Sequence, residues 1–446
     1  MSWLRGDDQV NIRQLKRVIV ICLLGGSTTL AAAIFEPGAG LGWQYSDNVA
    51  LTPDNEDADW GAVGYLGGSL IEEGGPLTYN AGGTLTYQRY ANKTFDDQTY
   101  FNLNARARWE QVENRLNWVV DDFFTQTPIN SLGRDVPDNI QNSNVFSIAP
   151  DIAFPFSNGH RVTIKPFFRD FYYEDTNTDN QQYGLDAGWS YPLYPTLRVG
   201  VSGGITDVNY DQDDFNDDYT RSQLRGVISG SRPHSEYTIN FGTSRISRDS
   251  GNDQTGFGGG LSYLYNITGH SSVRARLSTD LTDSSQTFFD AGVNPDSGNP
   301  NNVQTSSDTF RNNVFTLEYI RDDDTFDTRI WGELRDIDYD ETLSDREVQE
   351  LGAELDYNIN AYFTTGVYGS YVRYKETNRT DKRYILGGKV GYYFSRKLSA
   401  NARLQYRNRD STLDSFNYNE FSALVGIVYG FRGRTTGLVG DTALRY

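Results

Sequence analysis

The residues best placed to do chemistry form a row of cations. In LSANARLQYRNRD, residues 398–410, Arg403, Arg407 and Arg409 share one parity with Ser399, Asn401 and Gln405. Ala400, Ala402, Leu404 and Tyr406 share the other. A strand sends successive side chains to opposite faces. The stretch therefore carries one apolar face and one arginine face, and it divides two unlike environments. Guanidinium groups in a row can hold oxyanions, pair with carboxylates, or set the selectivity of a water path. Parity in neighbouring segments adds Arg106, Arg108, Arg161, Arg198, Arg225, Arg274, Arg276, Arg383 and Lys389 to the polar face. Glu110, Asp186, Asp280, Glu318, Glu354 and Asp356 are its anions.

Other chemistry finds little support. The histidines are His160, His234 and His270, each in a separate turn-like segment, with no nucleophile–base–acid arrangement around them. The one cysteine, Cys22, lies in an N-terminal apolar run, so neither a thiolate metal site nor a disulfide framework is expected. The acidic runs at 54–59, 211–218 and 322–327 could hold Ca²⁺ weakly, but their spacing fits no EF-hand loop. GFGGG at 256–260 precedes no helix and reads as small residues in a strand, not as a phosphate cradle. No catalytic group, cofactor site or specific metal site is expected.

The elements that must position the cations are strands. Alternation recurs over 101–110, 183–191, 273–281, 351–359, 384–394 and 421–431. Connectors come in two kinds, in alternation. Short ones include Gly74-Gly75-Pro76, Ser157-Asn158-Gly159 and Arg396-Lys397; long, mostly acidic ones are 52–59, 126–143, 211–218, 286–304 and 375–381. Short turns at one end and long loops at the other characterise an outer-membrane barrel. Between Ile34 and Phe431 there is room for about 20 strands, within a range of about 18 to 22 at roughly 20 residues per strand and connector. The expected fold is all-β: a transmembrane, up-and-down, antiparallel β-barrel over 34–431, with no plug domain and no helix.

A soluble sandwich or propeller would also alternate. Both would bury the apolar parity, whereas here the polar parity carries charge on strand after strand. A wall with lipid outside and water inside accounts for both faces, because only helices and closed barrels satisfy every backbone group in hydrocarbon. The two longest loops, 126–143 and 286–304, are candidates to fold inward and narrow the path. Arg134, Phe288 and Phe289 are the side chains that would form the constriction.

The N-terminus reads as a secretory signal over 1–33. Arg5, Arg13, Lys16 and Arg17 flank the apolar Val18 to Leu24, and Ala31-Ala32-Ala33 offers small residues for cleavage. That segment carries four basic and two acidic residues, so the net charge of −19 would become −21 without it. A chain this acidic is a poor match for nucleic acid. Residues 432–446 read as a C-terminal tail or a last weak strand.

The opening strand FEPGAGLGWQYSDNVAL, 35–51, with its Tyr45-Ser46-Asp47-Asn48-Val49 piece and the plug-free hairpins after it, resembles a known group. It is similar to the outer-membrane β-barrel family found beside exosortase/PEP-CTERM and exopolysaccharide systems, within the β-barrel porin 2 group. The resemblance implies a barrel in the outer membrane of a Gram-negative bacterium. Its surroundings would be membrane lipid and lipopolysaccharide, its folding partner the barrel-insertion machinery, and its wider partners polysaccharide-export components. It implies no catalytic residues. The expected role is a polar-lumen conduit, with a closed structural barrel at the cell surface as the alternative.

Overall fold

A computed structural model of the protein describes residues 33–212, 216–248, 252–293, 300–340 and 343–430. The expected signal segment, apart from Ala33, and the expected C-terminal tail lie outside these residues. Twenty strands follow in order: β1 (Ile34–Ser46), β2 (Asp59–Glu72), β3 (Leu77–Tyr90), β4 (Gln98–Val112), β5 (Leu116–Pro128), β6 (Ile140–Pro155) and β7 (Arg161–Tyr173). Then come β8 (Asn180–Tyr194), β9 (Leu197–Tyr210), β10 (Tyr219–Arg232), β11 (Ser235–Arg248), β12 (Gln254–Asn266) and β13 (Ser271–Asp283). The helix α1 (Ser284–Val293) precedes β14 (Thr309–Asp322), β15 (Phe326–Tyr339), β16 (Arg346–Asn360) and β17 (Phe363–Lys375). The last strands are β18 (Thr380–Ser395), β19 (Leu398–Ser411) and β20 (Tyr418–Tyr429).

Each strand pairs antiparallel with its sequence neighbours, and β1 pairs with β20, so the sheet closes on itself. Closure leaves no free edge. A 13-residue strand such as β1 is about 43 Å long. Tilted by about 40°, it rises roughly 33 Å, enough for the apolar layer of a membrane.

Alternation resolves as two faces with opposite fates. On β19, Arg403, Gln405, Arg407, Arg409 and Ser411 turn inward and are buried, while Leu404 and Tyr406 are exposed outside. Leu41 is 71% and Leu386 65% exposed, and similar side chains ring the exterior. In water such a continuous apolar belt would drive association; in lipid it is the matched surface.

The β1–β20 seam is held at its outer rim by the residues after β1. Asn48, fully buried, donates from Nδ2 to the carbonyls of Thr52 (2.8 Å) and Asn419 (2.9 Å). Its Oδ1 accepts from the Thr52 amide at 2.9 Å. Ser46 Oγ donates to Glu420 at 2.7 Å, and the Phe421 amide to Asp47 at 2.7 Å. Ser46-Asp47-Asn48 thus serves barrel closure.

Two expectations require correction. The loop placed at 126–143 is only residues 129–139, because β5 runs to Pro128 and β6 starts at Ile140, paired to each other. The chain also contains a helix, α1, inside the segment read as loop 286–304. Asp283 starts it by accepting the Gln286 amide at 2.7 Å, a side-chain cap that periodicity in so short a segment does not reveal.

Candidate functional site: a lumen crossed by two loops

Two hairpins leave the wall before their tips. Pairing of β4 with β5 stops at Leu103–Phe124, and pairing of β12 with β13 stops at Gly259–Thr279. Above those points β5–β6 and β13–β14 stay paired within themselves and bend into the lumen. The glycines of GFGGG permit this. A Cβ on Gly258 would stand 3.2 Å from Asp280 Oδ1, and one on Gly256 would collide with the Arg311 guanidinium.

The bent β13 delivers α1 to the inner face of β5, β6 and β7, six to eight strands away around the wall. Phe288 and Phe289 are buried there among Phe123, Val145, Phe171 and Tyr173. The Arg169 guanidinium lies 4.0 Å from the Phe289 ring centre and donates to Gln286 Oε1 at 2.8 Å. Arg221 donates to the same oxygen at 2.7 Å and pairs with Asp283 at 3.1 Å. Asp290, near the end of α1, is reached by lumen water yet surrounded by protein. Desolvation pushes its carboxyl up to about 6, against the pull of Arg169.

The loop 129–139 crosses the other way, to β18 and β19. Arg409, 1% exposed, donates to the carbonyls of Gly133 (2.7 Å) and Leu132 (2.6 Å). Arg379 reaches Leu132 at 2.9 Å and Arg383 reaches Gly133 at 3.3 Å. Arg134 donates to the Ser415 carbonyl at 2.9 Å. Leu132 packs on Val348 and Tyr374. The two loops also meet: Gln304 accepts from the Ser131 amide and hydroxyl at 3.0 Å and donates to the Ile129 carbonyl at 2.6 Å. Buried Arg346 ties both to the wall, donating to Ser131 Oγ (2.8 Å) and the Asn302 carbonyl (3.0 Å).

A cavity of about 1320 Å³ lies against these loops and extends toward the far end of the barrel, to Glu36 and Ile71. Phe288, Ser131, Asp135, Arg383 and Arg407 are among its lining.

The cations expected on the inner face are there, mostly paired. Arg106 meets buried Asp121 at 2.5 Å, and Arg108 donates to Asn117 at 3.3 Å. Arg225 pairs with Asp280, and Arg274 with Glu318 at 3.6 Å; Arg276 stands opposite Ser262 and Thr316. Lys389 is held by Glu354 (2.5 Å) and Asp356 (2.9 Å). Arg407 pairs with Glu420 and Arg409 with Asp381 at 2.6 Å. Arg403 lies over the Tyr368 ring at 5.3 Å. In register, Arg383 faces Arg409 and Lys389 faces Arg403. Like charges directly opposite repel, which is why carboxylates and carbonyls gather round them.

Arg169, Arg221, Arg346, Arg379, Asn302 and Gln304 were not on the expected inner row. Arg169 is hidden by its own strand, whose inner parity also carries Phe167 and Phe171. The three histidines are in short turns; His160 stacks on Tyr191 at 4.5 Å. Among the described residues, no three His, Cys, Asp or Glu side chains come together to hold a metal ion. The acidic run 322–327 spans a short turn. Asp323 there accepts the Thr325 and Phe326 amides, which, with Arg321, hold its carboxyl down at about 2.

Residues 344–431, spanning β16 to β20, match the family described as Putative beta-barrel porin 2. No curated protein matches the chain. Among solved structures it is similar to the siderophore receptor PirA from Pseudomonas aeruginosa, at 13% identity and TM-score 0.43 over 90% of this chain and 81% of that one. It is also similar to Pseudomonas aeruginosa OccK2 (OpdF) in complex with glucuronate, at 9% identity and TM-score 0.41 over 91% and 100%. The FrpB iron transporter from Neisseria meningitidis aligns at 9% identity and TM-score 0.44 over 89% and 82%. With its closed wall, its apolar exterior and the porin-family match over its last five strands, the chain is a porin-like β-barrel of an outer membrane.

Proposed function

We propose that the barrel is a gated conduit for hydrophilic solutes, and that the loop 129–139, the helix α1 and residues 300–308 are its gate at the outer mouth. The observation that carries this is how the first loop is held. Most of its contacts with the wall across the lumen are hydrogen bonds, from Arg379, Arg383 and Arg409 to two backbone carbonyls, from Arg346 to Ser131 Oγ and from Arg134 to the Ser415 carbonyl, with Asp135 near Arg383 and one buried leucine beside them. Such contacts can exchange for water or solute, and a cavity of about 1320 Å³ lies behind them. On this reading the chain's own loops occupy the lumen in place of a separate plug domain, and no catalysis is assigned.

The resemblance to barrels beside exosortase/PEP-CTERM and exopolysaccharide systems suggests the cargo or setting, a surface polysaccharide and its export components. Lipopolysaccharide would be met by the acidic outer loops, with weak Ca²⁺ bridging, and the barrel-insertion machinery would assemble the chain. A second reading, a closed structural barrel, draws on the burial of Phe288 and Phe289, which anchors α1 firmly.

Single-channel recording of the refolded chain in planar bilayers separates the two. A gated conduit conducts in bursts, and steadily once residues 131–138 are excised. The excision is feasible because the Ile129 amide already bonds the Asn139 carbonyl at 2.9 Å. A folded barrel that stays silent after the excision and after loss of α1 is the structural barrel.

A further inference from the structure

We infer that Arg379, Arg383, Arg407 and Arg409 form a binding site for the oxyanion group of the conducted solute. In the resting barrel, loop 129–139 fills that site with its own oxygens. The inference rests on the conduit reading and adds its substrate class.

The first ground is charge. The wall supplies two carboxylates to these four cations. Asp381 serves both Arg379 (2.9 Å) and Arg409 (2.6 Å), and Glu420 serves Arg407. Four guanidiniums against two carboxylates leave two positive charges over. The loop answers part of this demand with the Leu132 and Gly133 carbonyls and with Asp135, 3.8 Å from Arg383. A neutral carbonyl is a weaker partner for guanidinium than a carboxylate or phosphate, which can accept two parallel bonds. The loop therefore satisfies the site poorly, as a stand-in should.

The second ground is geometry. Phe416 lies 3.7 Å from the Arg379 guanidinium and 5.3 Å from that of Arg409, and Tyr374 lies 4.8 Å from that of Arg383. Rings over the faces fix the planes and leave the N–H edges for binding. Arg383 Nε and Arg409 Nε are buried without a hydrogen-bond partner among the described residues. The site is reachable, since Arg383, Arg407 and Asp135 line the large cavity. Lys389 makes the contrast: its two carboxylates meet its charge within the wall, and it needs no loop.

The test is calorimetric titration of the folded full chain with galacturonate and galactose 6-phosphate, and with galactose as the neutral control. The intact barrel is expected to bind at least one acidic sugar weakly and galactose not at all. Whichever of the carboxylate and the phosphate binds tighter identifies the oxyanion. Excising residues 131–138 removes the competitor and is expected to tighten binding about tenfold or more. Asp135→Asn, a change of charge at constant shape, is expected to tighten it several-fold, and Arg409→Gln to weaken it. Acidic-sugar binding that is unmoved by all three variants overturns the site. So does binding of galactose as tight as that of the acids. Heat-dependent gel migration verifies folding; should the excised chain fail to fold, Asp135→Asn and Arg409→Gln decide alone. If the excised barrel binds the acid tightly yet never conducts, the conduit reading fails while the site stands.

Discussion

The Gly133 carbonyl oxygen lies 2.7 Å from Arg409 Nη1, although 276 residues of chain separate the two and five strands of wall lie between β5 and β19. Together with the Leu132 carbonyl, 2.6 Å from Nη2, this contact pins a loop rooted on β5 to the opposite side of the lumen. Hydrogen bonds to a charged group contribute about 1.5–3 kcal/mol each. Arg409→Ala is therefore expected to release the loop and raise the open fraction in single-channel records. An unchanged open fraction would mean that Arg346 and Gln304 hold the loop without it.

The helix side of the gate is held by apolar burial. Truncating a buried phenylalanine costs about 3–5 kcal/mol, more than an isolated 10-residue helix can lose and stay docked. Phe288→Ala with Phe289→Ala is expected to leave the barrel folded while exposing residues 284–308 to protease. Limited proteolysis followed by mass spectrometry reads this directly; resistance equal to the unaltered chain would contradict it.

Lys389 bridges Glu354 and Asp356 beside a smaller lumen pocket of about 360 Å³. Lys389→Gln removes the cation that Glu354 and Asp356 share. The reversal potential under a KCl gradient should move toward the cation limit, and Glu354→Gln added to it should bring it part of the way back. An unmoved potential would place the narrowest point of the path elsewhere.

Docking of α1 should depend on pH through Asp290. Its carboxyl is raised to about 6, so the folded state prefers it neutral. The sign follows: docking is strongest below the ordinary value of 3.8, weakens as pH rises from there to about 6 because the undocked carboxyl ionises first, and changes no further above it. Arg169 and Arg221 attract that charge and Asp283 repels it. Protease sensitivity of 284–308 should rise across this window, and Asp290→Asn should flatten the dependence.

Asn48 closes the barrel seam with bonds to Thr52 and Asn419, fully buried. Asn48→Ala leaves those carbonyls without their donor, at about 1–3 kcal/mol each where water cannot replace it. The urea midpoint of unfolding should fall measurably. Wild-type stability would show that water does enter the rim.

Much of this architecture was legible in advance, for a definite reason. Lipid on one side and water on the other force every wall strand to alternate, so Leu404 against Arg403 gives away both the strand and its faces. The alternation of short and long connectors then orients the barrel. Legibility failed where that contrast fails. On β6 and β7, Val145 and Phe171 are apolar yet turn inward, because α1 rather than water covers them, and Phe167 turns inward beneath the Arg169 guanidinium. Arg169 was lost in that row. In the acidic run 322–327, the sequence shows the carboxylates but not that Asp323 accepts the amides of its own turn.

By itself, then, the sequence determined the antiparallel wall and its polar lining, since both follow from the two-residue period against two solvents. It also marked 126–143 and 286–304 as loops long enough to enter the lumen. Only the tertiary structure decided that they do enter, that they cross in opposite directions, and that their carbonyls meet Arg409 rather than water. Those contacts join residues hundreds of positions apart, and their geometry is set by where β5 and β13 leave the wall. No local pattern encodes that, because it depends on the diameter and register of a barrel that exists only once all twenty strands have closed.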